Sequence, residues 1–155
     1  MIGRFTPAAL VLTALTTAMS SDSARLLRQQ RLWQSDIGIQ SLTMGVEAGD
    51  LVSRVIIYAG MDDPSQGARL ELLLPPGSAI HKMPPGCAAD ALPSGVTVRG
   101  RVSCNLGTLA VHERVQLVFA SSIPAPTVPK SVAAFVSSDA PDPRPGDNFA
   151  MKTLP

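Results

Sequence analysis

Residues 68–74 read Ala68-Arg69-Leu70-Glu71-Leu72-Leu73-Leu74, and Pro75-Pro76-Gly77 follows at once. Ala68, Leu70, Leu72 and Leu74 recur at every second position, with Arg69 and Glu71 between them. A period of two sends successive side chains to opposite faces of a sheet, so one face buries while the other stays wet. Proline cannot donate to a ladder and glycine takes left-handed turns, so the Pro-Pro-Gly closes the strand. This stretch predicts a half-buried β-strand.

The same alternation recurs on either side. Asp36 to Thr43 sets Ile37, Ile39 and Ser41 on one side, and Leu51 to Tyr58 is rich in Val, Ile and Tyr, which suit a pleated surface. Val96, Val98, Val102 and Cys104 share a face opposite Arg99, Arg101 and Ser103. Val115, Leu117 and Phe119 alternate with Arg114 and Gln116, and Lys130 to Ser137 and Phe149 to Thr153 complete the set. Breakers stand between: Met61-Asp62-Asp63-Pro64, Met83-Pro84-Pro85-Gly86, Pro124-Ala125-Pro126 and the run from Asp139 to Gly146. About seven short strands with frequent turns predict an all-β antiparallel sandwich over residues 36–155. No crossover helices separate the strands, which disfavours a parallel sheet.

With 155 residues, the chain has room for one ordinary domain. Hydrophobic residues make up 45%, enough for a core, and the formal charge of +1, with no long run of either sign, argues against a nucleic-acid partner, which needs a basic face. Before the strands, Arg4 and the uncharged run from Phe5 to Met19 resemble a targeting segment, with small residues at Ala18-Met19-Ser20-Ser21 for cleavage after Ala18 or Ser20. The run is shorter than the roughly 20 residues that span a bilayer. Residues 1–20 are therefore expected to be a signal peptide, and membrane attachment follows only if that segment stays uncleaved. Residues 21–35 are expected to be a linker; within it Leu27, Arg28, Arg31, Leu32 and Trp33 fall at the spacing of a short amphipathic helix.

Cys104-Asn105-Leu106-Gly107-Thr108-Leu109-Ala110 runs into the Val115 strand, and Ala134-Phe135-Val136-Ser137-Ser138-Asp139-Ala140-Pro141-Asp142-Pro143 leads to Asp147-Asn148. With Gly49-Asp50 and Leu74-Pro75-Pro76-Gly77 upstream, this pattern closely resembles the bacterial repeat family named domain of unknown function eleven. The resemblance covers Asp36 to the C-terminus. It implies an immunoglobulin-like sandwich on exported or surface proteins, usually in tandem copies that act as spacers, stalks or adhesion elements, with no catalytic residues. Arg54, Leu72 and Val132 depart from the pattern, which usually has an aromatic or apolar residue, Asp and Asn there, and Ala59 to Pro64 replaces its usual turn. A single copy suggests a small exported protein or a subunit rather than a long stalk.

Candidate chemistry is sparse. Cys87 and Cys104 are the two cysteines, and in an oxidising compartment a disulfide between them would stabilise the domain by about 3 kcal/mol through loop closure. The alternative is two buried thiols. His81 and Met83 near Cys87 hint at a soft-metal site, since imidazole, thioether and thiolate suit copper, but the order is reversed from that of cupredoxins. Asp139, Asp142 and Asp147 offer the hard oxygens that calcium takes, yet their spacing fails the EF-hand pattern, and Asp also caps turns through its own backbone. No metal or other cofactor is expected. His112 lies beside Glu113 at a turn, without a nucleophile motif such as Gly-x-Ser-x-Gly. The expectation is a non-enzymatic, exported structural or interaction module of the bacterial cell envelope, whose partner is another envelope or surface protein. A periplasmic metal- or ligand-binding domain and a membrane-tethered subunit are the alternatives.

Overall fold

A computed structural model describes residues 34–60, 63–90 and 99–154. The signal segment and all of the linker before Gln34 lie outside the described residues, as do Val96 and Val98. Among the described residues there are nine antiparallel strands: β1 (Ile37–Glu47), β2 (Asp50–Ala59), β3 (Ser65–Pro76), β4 (Ile80–Lys82), β5 (Cys87–Ala89), β6 (Arg99–Leu109), β7 (Arg114–Ser121), β8 (Ser131–Ser137) and β9 (Phe149–Thr153). A single 3-10 turn, Pro145–Asp147, is the one helical element among the described residues. All seven expected strands appear. The two additions, β4 and β5, are only three residues each and lie among the prolines that were expected to form turns.

The strands form a four-stranded sheet in the order β1-β2-β7-β4 and a five-stranded sheet in the order β5-β6-β3-β8-β9. This is the immunoglobulin-like arrangement: β2 pairs with β7 as strand B does with E, and β3 with β8 as C does with F. The chain passes from one sheet to the other between β2 and β3, β3 and β4, β4 and β5, β6 and β7, and β7 and β8.

The alternating residues meet in the core. Val55, Ile57, Leu117 and Phe119 face inward from one sheet, and Leu70, Leu72, Leu74, Val102, Val132, Ala134 and Val136 from the other. Leu72 and Val132, two of the departures from the repeat pattern, are fully buried. Their apolar side chains need no hydrogen-bond partner there, whereas a polar residue would. Arg54, the third departure, points outward from β2 and grips Glu47 with two hydrogen bonds of 2.6 and 2.8 Å.

One expectation about faces changes. The β1–β2 register slips between Ile39 and Ser41, so a bulge at Gln40 inverts the alternation. The inner side continues through Leu42 and Met44, and Ser41 leaves it. A second adjustment comes at the N-terminal boundary. Ser35, expected to end the linker, is already buried and its hydroxyl bonds that of Ser65 at 2.7 Å.

Cys87 and Cys104 form a disulfide between β5 and β6, where they are register partners. Asn105 N–H donates to the Gly86 carbonyl and Asp90 N–H to that of Arg101. The alternation of the ladder therefore places the two cysteines at a non-hydrogen-bonded pair, where side chains lie closest. Immunoglobulin domains usually bridge their two sheets with cystine. Here the bond ties an edge strand to its neighbour within one sheet, and Cys104 joins the core.

Replacing Leu72 by Ala should lower unfolding free energy by about 2–5 kcal/mol, the usual result of removing a buried leucine side chain. Val46→Ala, on the exposed end of β1, should stay within about 0.5 kcal/mol of wild type. Urea denaturation of the two variants measures both.

Candidate functional site

The densest set of polar contacts lies at one end of the sandwich, where the β8–β9 connection meets the start of β1. Asp36 is buried, with 3% of its side chain exposed. Its carboxylate accepts from Arg144 through both Nε, at 3.2 Å, and Nη2. Asp142 accepts the Ile37 N–H at 3.1 Å with one oxygen and the Arg144 N–H at 2.7 Å with the other. Ser35 N–H donates to the Pro141 carbonyl at 3.2 Å. The contacts to Ser35, Asp36 and Ile37 tie the connection to the first residues of the sandwich and the Asp142–Arg144 bond shapes it from within, so the run Asp139 to Asn148 acts as a strap.

Tyr58 completes the cluster. It points outward from β2, where Gly38 is its register partner on β1. A Cβ at Gly38 would lie 2.7 Å from Tyr58 Cε1, 2.8 Å from its Oη and 2.9 Å from Asp147 Cγ. Only glycine leaves room for the ring to cross β1, and its hydroxyl then donates to Asp147 Oδ2. That hydrogen bond, burial and the charges of Asp147 and Asp36 push the phenol up to about 12, with Arg144 opposing. The Arg144 guanidinium is likewise held above its ordinary value, chiefly by its hydrogen bond to Asp36.

The metal-ligand candidates separate. Asp142 and Asp147 come together with Asp36, their oxygens within 4.8 Å of one another. Asp36 carried no signal in the sequence, because only the fold brings it to residues more than a hundred positions away. Arg144 supplies the positive charge at this cluster. Asp139 lies elsewhere: its N–H donates to the Gln66 carbonyl and its carboxylate pairs with Arg69 at 3.1 Å, over Gly67. His81 Nε2 is 3.0 Å from Asp50 Oδ2, Met83 is an exposed side chain, and the Cys87 sulfur is bonded to Cys104.

Beside Tyr58 opens a cleft of about 340 Å³, lined by Gln40, Tyr58, Ala59, Gly60, His112, Arg114 and Arg144. A separate surface lies on the outer face of the five-stranded sheet. Phe135 and Phe149 are register partners with ring centroids 4.7 Å apart, and Met151 follows on β9. These three remain 41%, 46% and 61% exposed. Arg69, Glu71 and Arg101 stand on the neighbouring strands, the last two as an ion pair.

No family model matches the chain, and no curated protein matches it. Among solved structures, a family GH18 chitinase from Chromobacterium violaceum is 18% identical over 70% of this chain and 18% of its own, with a TM-score of 0.36. A GH20 exo-β-N-acetylglucosaminidase from Vibrio harveyi, solved with N-acetylglucosamine, is 10% identical over 77% of this chain and 17% of its own, with a TM-score of 0.32. The chain spans less than a fifth of either enzyme, and a superposition this loose says nothing about its chemistry. No helix among the described residues is long and apolar enough to cross a membrane.

Tyr58 is the one tyrosine in the chain, so tyrosinate absorbance reports on it alone. The titration should have its midpoint at about 12 in the folded protein and near the ordinary value of about 10 in urea. Because folding favours the neutral phenol, its contribution to stability is complete below the unfolded value and fades as pH rises through about 12. Asp147→Asn should bring the folded midpoint down toward the ordinary value.

Proposed function

We propose that this chain is an exported, non-enzymatic module of the bacterial cell envelope that binds another envelope or surface protein, and that it is a relative of the repeat family its sequence resembles. The observation that carries this reading is the exposed aromatic pair Phe135–Phe149 with Met151, on the outside of a sandwich braced by a disulfide. Large apolar side chains grouped on one face mark interaction surfaces, and aromatic residues and Met are enriched at the centres of interfaces. The disulfide supports an oxidising compartment, since cytosolic thiols are kept reduced. Asp139, Asp142 and Asp147 each hold a backbone amide, a guanidinium or a phenol, so their role as turn and strap residues suffices to explain them.

The partner surface this face fits is itself apolar and bordered by charges of both signs, to match Arg69, Glu71 and Arg101. A photo-crosslinking side chain placed at Phe149 in the producing bacterium should give one discrete adduct, and one placed at Val46, on the other sheet, should not. Absence of an adduct at Phe149 would count against the partner. Alkylation of the protein in fractionated cells checks the compartment separately: both cysteines should resist modification until reductant is added. Cysteines freely alkylated in native material would overturn export.

A further inference from the structure

The cleft beside Tyr58 has the size of a small-molecule site. Its chemistry follows from which of its polar groups are already engaged. Among the described residues the nearby carboxylates are engaged: Asp36 by Arg144, Asp142 by the Ile37 amide, Glu113 by the Ala110 amide at 2.6 Å, and Asp147 by the Tyr58 hydroxyl through Oδ2, while its buried Oδ1 has no hydrogen-bond partner and does not line the cleft. Among the described residues, the side chains of Arg114, His112 and Gln40 have no hydrogen-bond or ion-pair partner, and all three line the cleft. What remains open in the cleft lining is a guanidinium, an imidazole and an amide, each of which can donate.

The backbone fixes these donors in place. Arg114 is the register partner of Tyr58, so its side chain leaves the same outer face next to the ring. His112 sits at φ +64, a conformation uncommon for a residue with a Cβ, and its N–H is held by the carbonyls of Ala59 and Gly60 at 3.2 and 3.3 Å. Non-glycine residues held in that region cluster at binding sites, where the surrounding structure maintains them. Gln40 is the bulged residue of β1, set there by the register slip between Ile39 and Ser41. Bulges re-aim a side chain in this way next to functional sites. Three independent backbone features thus turn three unpaired donors to one cleft.

We propose that this cleft binds a small oxyanion, a carboxylate or phosphate group, with Arg114 as its principal ligand and His112 and Gln40 completing the donor set. A guanidinium meets two oxygens of such a group through a fork of parallel N–H donors, which suits it to this task better than an ammonium.

The test is proton NMR of the full chain, titrated with sodium acetate and, separately, with inorganic phosphate, against sodium chloride at matched ionic strength. The ring protons of His112 should shift saturably with acetate, phosphate or both, and the arm that saturates at lower concentration names the preferred group. His81, on β4 and paired with Asp50, should not follow. Arg114→Gln should weaken binding by about tenfold or more, the loss expected of a charged hydrogen-bonding pair. Lys152→Gln, the same change of charge on the other sheet, should leave it unaltered. Saturation absent in both arms, His81 and His112 shifting in parallel, or equal losses in the two variants would overturn the proposal. If Arg114→Gln loses its near-ultraviolet dichroism, Gln40→Ala replaces it, and binding unchanged in that variant counts against the donor set.

Discussion

The buried carboxylate of Asp36 organises one whole end of this molecule. A carboxylate removed from water must be matched by donors, and Arg144 supplies them from the far end of the chain. That requirement draws the β8–β9 connection against the start of β1. With the connection in place, Asp142 reaches the Ile37 amide and Asp147 the Tyr58 hydroxyl. Gly60 belongs to the same arrangement, because a Cβ there would collide with the Asp36 side chain. Gly38 does as well, by letting the tyrosine ring pass. The strap, the raised phenol and one wall of the cleft thus descend from a single burial requirement.

At the opposite margin, a different device holds the sheet. β5 has three residues and few ladder bonds of its own, too short to pair stably without help. The disulfide to Cys104 anchors it, and Cys104 itself reaches into the core. Arg101 reinforces the same margin by pairing with Glu71 and lying 3.7 Å from Asp90. The five-stranded sheet is therefore braced at β5 and carries its exposed aromatic pair at β8 and β9.

Much of the architecture was legible from residue order. The alternation at Ala68 to Leu74 and its six companions located strands that the structure contains, because a period of two has one physical meaning at a water-exposed sheet. Ser41 was misplaced since a bulge leaves no mark in the hydrophobic pattern: Gln40 is simply one more polar residue. β4 and β5 were hidden for a related reason, since three residues are too few to show a period. Among the candidate ligands, the acidic run pointed to the right region, but it linked Asp139 with Asp142 and Asp147 when only the last two share a cluster.

By itself, the order of residues determined the fold class, the positions of the seven main strands and the cysteine pair. Those depend on local periodicity, turn chemistry and the small number of thiols, all readable within a window of residues. Tertiary structure alone decided that Asp36 meets Arg144, that Tyr58 crosses Gly38 to Asp147, and that Gln40, His112 and Arg114 face one cleft. These partners lie on different strands, and which strands become neighbours is settled by how two sheets close over a common core.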